Sequence, residues 1–319
     1  MELKLPDHNF KEYLEGLSFL EAQMVRGVED FQDELDAFYD NPEKEQGIYL
    51  PWEGSHNIIR LAPGELTVWG GESSSGKSQI TGQVILWNLG REKAVIASME
   101  MKPLDTIRRM ACQAAGCIAS RSFGNEFIQW AAGKLWIYDQ LDSVPTDNIL
   151  GMVHWCVREL GITQIVIDSL TKCGLPRDDY AAQAKFVDRL QWAAKHYNCH
   201  IHLVCHMRKP AAGHKSGKHD IRGAAEITDL ADNVMVVSRN KSKEAAQEKS
   251  DHGRALTDKE LSRLEEPDTF LNVVKNRKTG DERGIGLWFN KDANQFTSDS
   301  NRRPMHFNID GKASSMNAP

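Results

Sequence analysis

The sequence predicts an α/β domain, a mainly parallel sheet with helices on both faces. Three observations predict it. From residue 64 onward short β-rich runs alternate with helical stretches. A glycine- and serine-rich run sits between an apolar strand and a helix, and a second apolar run ends in a carboxylate. Alternation of strand and helix is the pattern of parallel sheets built from crossover units.

The elements follow in order. Residues 8–40 read as an amphipathic helix, because Phe10, Leu14, Leu17, Met24, Val28, Phe31, Leu35 and Phe38 recur at steps of 3, 4 or 7, with Glu21 interrupting the row. Such a stripe packs either on its own domain or on a neighbouring subunit. Asn41-Pro42 ends it, and 43–54 reads as a linker. Strands are predicted over Leu66–Trp69, Ala94–Ser98, Leu135–Tyr138, Gln164–Ile167 and His200–Cys205, and helices over Gln79–Asn88, Leu104–Ala115, Thr146–Leu160 and Ala181–His196. Val234–Ser238, Thr269–Val274 and Ile285–Asn290 have short or polar connections and read as further strands, at least partly antiparallel. The charged stretch Asn240–Pro267 reads as mobile. The resulting division is an acidic helical arm and linker over 1–50, the α/β domain over 51–297, and a polar, disordered tail over 298–319.

The 319 residues carry a net charge of −6. Residues 1–45 hold 13 acids and 4 bases, so the remainder is close to +3 and does not exclude a polyanionic partner. No apolar run approaches the ~20 residues needed to span a bilayer, and residues 1–9 lack a signal-peptide apolar region, which together predict a cytoplasmic protein without a membrane partner. The six cysteines include no C-x-x-C pair, which argues against a zinc ribbon and for buried free thiols.

The chemistry begins with Gly71-Glu72-Ser73-Ser74-Ser75-Gly76-Lys77-Ser78, which fits the phosphate-binding pattern G-x-x-x-x-G-K-[ST]. Glycines let the backbone curl so that successive N–H groups face phosphate oxygens. The following helix adds its N-terminal partial charge. Lys77 can reach the β- and γ-phosphates, and the Ser78 hydroxyl can hold Mg²⁺. A nucleoside triphosphate, ATP or another NTP, with Mg²⁺ is therefore the expected ligand.

Four further features surround this loop. Ile165-Val166-Ile167-Asp168 ends a strand in a carboxylate that can share Mg²⁺ with Ser78; otherwise Asp168 is a helix cap. Glu100, just past the strand 94–98, can polarise an attacking water; otherwise it is an exposed glutamate opening a helix. His206, ending the strand 200–205, can sense a γ-phosphate; otherwise it is a surface histidine. The loop 207–222 holds Arg208, Lys209, Lys215, Lys218 and Arg222, and is either a solvated loop or a contact for nucleic-acid phosphates.

Taken in order, GGESSSGKS, ASMEM, QIVIDSL, HLVCHMRKP, DIRGAAEITDLADNVMVVSRN and VVKNRKTGDERGIGLWFN resemble the RecA-type ATPase domain of the hexameric DnaB-like replicative helicases, and within them the helicase half of phage primase-helicases and their mitochondrial relative Twinkle. The resemblance covers about residues 50–297. It implies a RecA-like P-loop NTPase core with catalytic roles for Lys77, Glu100 and His206. It implies an arginine finger at Arg277, accompanied by Lys275, that acts on ATP held by the adjacent subunit. It implies that Arg239 and Phe289 sandwich the base, and that the loop after His206, and more weakly 170–179, contact DNA in a central channel. The 50 residues ahead are too few for a primase module, and the stripe from Phe10 to Phe38 is the counterpart of a linker helix that docks on the next subunit. The expected activity is an ATP-driven 5′→3′ helicase on single-stranded DNA. The expected assembly is a homo-oligomer, a hexameric ring of a phage or prophage replication module, with a separate primase or loader as partner. A RecA/RadA-like recombination ATPase and a loader or regulatory ATPase without unwinding are the alternatives.

Overall fold

The computed structural model describes residues 26–40, 47–176, 178–207, 224–307 and 309. The chain divides into two compact units, 1–46 and 47–319.

In the first unit a 3₁₀ turn, Val28–Phe31, leads into α1, Gln32–Asp40. Val28, Phe31, Leu35 and Phe38 of the predicted stripe are all exposed, Val28 at 87 %. The stripe's earlier members, Phe10 to Met24, lie outside the described residues.

The second unit is built on a nine-stranded sheet. A short pair precedes it, β1 (Ile48–Tyr49) and β2 (Arg60–Leu61). The sheet strands are β3 (Leu66–Gly71), β4 (Ala94–Ser98), β5 (Leu135–Ile137), β6 (Gln164–Asp168), β7 (His200–His206), β8 (Asn233–Arg239), β9 (Thr269–Asn276), β10 (Gly284–Asn290) and β11 (Gln295–Thr297). Their order is β11-β10-β9-β8-β3-β7-β6-β4-β5. Pairing from β8 through β5 is parallel, and β9, β10 and β11 add antiparallel strands. The parallel strands β3, β4 and β6 are buried along their whole length, which explains their continuous apolar runs.

Between the strands lie α2 (Lys77–Asn88), α3 (Pro103–Ala115), α4 (Arg121–Ala131), α5 (Thr146–Leu160), α6 (Tyr180–Tyr197), α7 (Ala224–Leu230), α8 (Lys241–Asp251) and α9 (Asp258–Leu264). Local signals set their ends. Pro103 opens α3 and Gly116 closes it in the left-handed region; Asp179 caps α6 through the Ala182 N–H, and Asn198 closes it. One core cluster joins the sheet to α5, α6 and α7, and another joins it to α2, α3 and α4. Two apolar layers thus cover the two faces, as right-handed crossovers require.

Three expectations are corrected. Residues 47–54 are not a linker: Leu50 and Trp52 are fully buried, and the Trp52 indole donates to Phe296 O at 2.8 Å. Asn240–Pro267 is not a mobile loop but holds α8 and α9, polar helices set by caps at Asn240 and at Thr257 with Glu260. Residues 298–307 are ordered. Met305 N–H donates to Gln295 Oε1 at 2.7 Å, and Phe307 meets the edge of Trp87 at 5.9 Å between ring centroids.

Candidate active site at the end of the parallel strands

Parallel strands bring their carboxyl ends to one edge, and the loops there form the site. Gly71 ends β3 between β7 and β8, and the turn 72–76 feeds α2. The turn needs its glycines. Gly76 has φ +94°, and a Cβ there would stand 2.6 Å from Phe296 Cζ; one on Gly71 would stand 2.6 Å from both Ser75 Oγ and Val237 O.

Lys77 is 4 % exposed, and its ammonium donates to Gly71 O at 2.9 Å and Glu72 O at 2.7 Å. Burial lowers its pKa, against the pull of Asp168, Cys205, Glu100 and Glu72. Asp168 ends β6 and is 5 % exposed. Burial raises its pKa, while a hydrogen bond from Ser78 favours the carboxylate. In the sheet β7 lies between the Asp168 strand and the loop, and the Asp168 side chain spans that gap to Ser78.

Glu100 follows β4. His206 Nε2 stands 3.3 Å from its Oε1, and Ser169 Oγ donates to the same oxygen at 2.7 Å. The His206 bond, foremost, and then the Ser169 bond outweigh desolvation and bring the Glu100 pKa down to about 2. Glu100 is therefore ionised at neutral pH and is suited to orienting a water rather than to storing a proton. His206 Nδ1 and Ser75 Oγ are buried without a hydrogen-bond partner among the described residues.

These residues fit Mg²⁺ and a triphosphate. The loop has room only for glycine at two points, Ser75 Oγ is an unfilled polar atom within it, and a hydroxyl and a carboxylate are paired beside the buried lysine. No group of three or more His, Cys, Asp or Glu residues suited to a metal occurs among the described residues. A Mg²⁺ site built from one carboxylate, one hydroxyl and substrate phosphates needs none.

A groove of about 1120 Å³ runs from Ser74, Ser75 and Gly76 to Arg239 and Phe289. The two residues predicted to sandwich a base thus share one groove with the loop. Phe289 packs on Phe296, with ring centroids 4.9 Å apart.

Arg277 and Lys275 lie elsewhere. β9 runs antiparallel to β8, so the end of β9 sits at the start of the parallel strands, opposite the loop. Five strand steps, roughly 17 Å, separate the two edges. There Arg277 Nη1 donates to Asp232 Oδ1 at 2.8 Å and Nη2 to Asp229 O at 2.9 Å, while Lys275 Nζ donates to Thr228 O and Asp229 O. Both cations cap the C-terminus of α7, and neither reaches the loop of its own chain. Arg208, Lys209, Lys215, Lys218 and Arg222 all lie outside the described residues.

Sequence reasoning missed three contributors. Ser169 follows Asp168 directly, and that adjacency is the signal that could have found it. Arg109 on α3 is electrostatically coupled to Asp168, and burial lowers its pKa. Arg302 lines the groove and pairs with Asp268 at 3.1 Å, although composition predicts disorder for its stretch.

The sheet order, the loop and the converging Lys77, Asp168, Glu100 and His206 define a P-loop domain of RecA-like fold. Comparison with known proteins agrees. Residues 55–212 match the family model AAA_25, described as an AAA domain. The Twinkle homolog protein of Arabidopsis thaliana, chloroplastic/mitochondrial, is 28 % identical over 240 residues, covering 68 % of this chain and 34 % of that protein. The chain thus spans about a third of the length of that curated relative. Two solved structures share the fold. A DnaB-like replicative helicase, described with its interactions with primase, superposes with a TM-score of 0.62 at 13 % identity, covering 86 % of this chain and 67 % of the other. A second solved structure, of an ATPase domain, gives 0.63 at 14 % identity, covering 86 % and 99 %. Through this domain the chain is similar to a Twinkle homolog protein in sequence and to a DnaB-like replicative helicase in fold.

Proposed function

We propose that the chain is an ATP-driven DNA helicase that moves 5′→3′ along single-stranded DNA as a ring and hydrolyses ATP between subunits. One observation carries the reading. Lys77, Asp168, Glu100 and His206 converge at one edge of the sheet, while Arg277 stands at the opposite edge, so one subunit presents half a site at each end. A neighbour's Arg277 would complete the half that holds the loop, which makes hydrolysis depend on assembly. The polarity and the ring rest on the resemblance to the helicase family.

In this reading Lys77 and the N–H groups of residues 72–78 bind and orient the phosphates. Ser78 and Asp168 would hold Mg²⁺, which would supply charge neutralisation at the phosphate oxygens. Glu100, fixed by Ser169 and His206, aims the attacking water. His206 joins Glu100 to the basic loop that follows β7, so a change at the phosphate edge passes to Lys209, Lys215 and Lys218 on DNA.

The test is unwinding of a forked DNA by the wild-type chain and by Lys77→Ala, with electron micrographs in ATP analogue and single-stranded DNA. Unwinding by rings, lost in Lys77→Ala, is expected. Filaments that pair strands would favour a recombination ATPase, and ATP hydrolysis without unwinding would favour a loader.

A further inference from the structure

The helices inserted between β8 and β9 have no part in the reading above, yet α8 forms a wall of the groove. Gln247, Glu248, Asp251 and His252 at its end line the same space as Ser74 to Gly76, Arg239 and Phe289. Its position is fixed at several points. Lys241 Nζ bonds both Glu72 carboxylate oxygens, at 2.6 and 2.8 Å, which ties the first turn of α8 to the phosphate loop. Lys243 is buried and pairs with Asp268 at 2.9 Å beneath the groove. Burial pushes the Asp268 pKa up, but the bonds from Lys243, the Phe289 N–H and Arg302 outweigh it and leave it lowered. α9 braces α8 through Lys249 and Glu260.

The wall is also acidic where it meets the groove. A carboxylate facing a triphosphate repels it, so Glu248 and Asp251 suit the other end of a nucleotide. Carboxylates only accept hydrogen bonds, and a nucleoside offers O–H and N–H donors. Gln247 Nε2 already donates to Asp251 Oδ1 at 2.8 Å, which leaves Asp251 further acceptor sites. Glu244 accepts from Arg239 Nε, so α8 also sets the plane of the guanidinium offered to the base.

We propose that α8 is the nucleoside-binding wall of the ATP site: Glu248 and Asp251 accept hydrogen bonds from the donors of the base or ribose, and Glu244 positions Arg239 for stacking. The inference rests on the nucleotide reading of the P-loop. It assigns the insertion a role in holding substrate end-on, phosphates toward Lys77 and nucleoside toward α8.

The experiment is equilibrium binding of Mg-ATP and of tripolyphosphate, which has no nucleoside, to the full chain and to Glu248→Ala with Asp251→Ala. The expected result is ATP affinity about tenfold weaker, with tripolyphosphate affinity unchanged or tighter. dATP and ribose triphosphate, run beside ATP, separate ribose hydroxyls from base N–H groups as the donors. Equal changes for ATP and tripolyphosphate, in either direction, would overturn the proposal. Glu248→Gln with Asp251→Asn, which keeps shape and acceptors, repeats the comparison and is expected to retain most of the ATP affinity. If the unaltered chain binds neither ligand, the P-loop reading itself fails; if it binds both and only the differential is missing, the wall alone fails.

Discussion

Arg277→Ala tests two separate roles of one guanidinium. In the chain itself Arg277 ties Asp232, Asp229 O and Leu230 O to the end of β9. Asp232 is 5 % exposed and would keep the Leu66 N–H at 3.0 Å and a long contact to Gln191 at 3.5 Å. A hydrogen bond to a charged group contributes about 1.5–3 kcal/mol. The Arg277 side chain is 45 % exposed, so water screens it and the low end applies, about 1.5 kcal/mol. For a domain of this size that is a fall in Tm of roughly 3–6 °C. The second role, proposed above, is that of a finger acting in trans on ATP held by the adjacent subunit. Loss of an arginine finger costs on the order of 10³-fold or more in turnover, while ATP binding, which uses the other edge, is retained. Thermal unfolding of the variant reads the first role. ATP hydrolysis with DNA present, alone and mixed with Lys77→Ala subunits, reads the second. Mixing restores activity because the Lys77→Ala chain lends its intact Arg277 to the intact loop of its neighbour. An unchanged Tm would refute the ion-pair argument. Full activity of Arg277→Ala alone, or no recovery on mixing, would refute the finger in trans.

Other expectations are more direct. Gly76→Ala places a methyl against Phe296 at a φ of +94°; a loss of about 1–3 kcal/mol in stability and of most ATP affinity is expected, read by denaturant unfolding and binding. His200 is fully buried between Thr67 and the Ala62 carbonyl, and burial lowers its pKa from 6.5 to about 4. Because the folded value lies below the unfolded one, its contribution is complete above pH 6.5 and is lost as pH falls toward 4. In urea unfolding His200 alone is expected to account for about 2 kcal/mol less stability at about pH 5 than at about pH 7; the buried His202, whose pKa is also lowered, adds to the loss, and His200→Gln is expected to reduce the slope. Replacing Lys215 and Lys218 with Ala is expected to weaken single-strand DNA binding and reduce the salt slope by about 1–2; an unchanged slope would remove the loop from the DNA path.

Much of the site is legible in the sequence because its residues sit at strand ends. An apolar run that stops at or just before Asp168, Glu100 or His206 marks the edge of a parallel sheet, and the glycine pattern marks the loop between them. The bond from Ser169 to Glu100 is not legible, since its partners are 69 residues apart and meet only when β4 and β6 pair. α8 and α9 lack an apolar stripe, so their sequence suggests mobility. They are held instead by end caps and an ion pair between the buried Lys243 and the half-buried Asp268, which no periodicity records.

The sequence by itself determined the phosphate loop, the parallel core and the identity of the charged residues, because local backbone needs and strand burial restrict residue type directly. Only the tertiary structure decided which of those residues meet. Strand order put β7 between β3 and β6 and left Asp168 to reach across it, and the antiparallel turn of β9 carried Arg277 to the far edge. Packing of Met305 and Phe307 brought Arg302 into the groove. Register and topology are set by contacts between distant segments, so a chain that states its chemistry plainly leaves the direction in which that chemistry points to the fold.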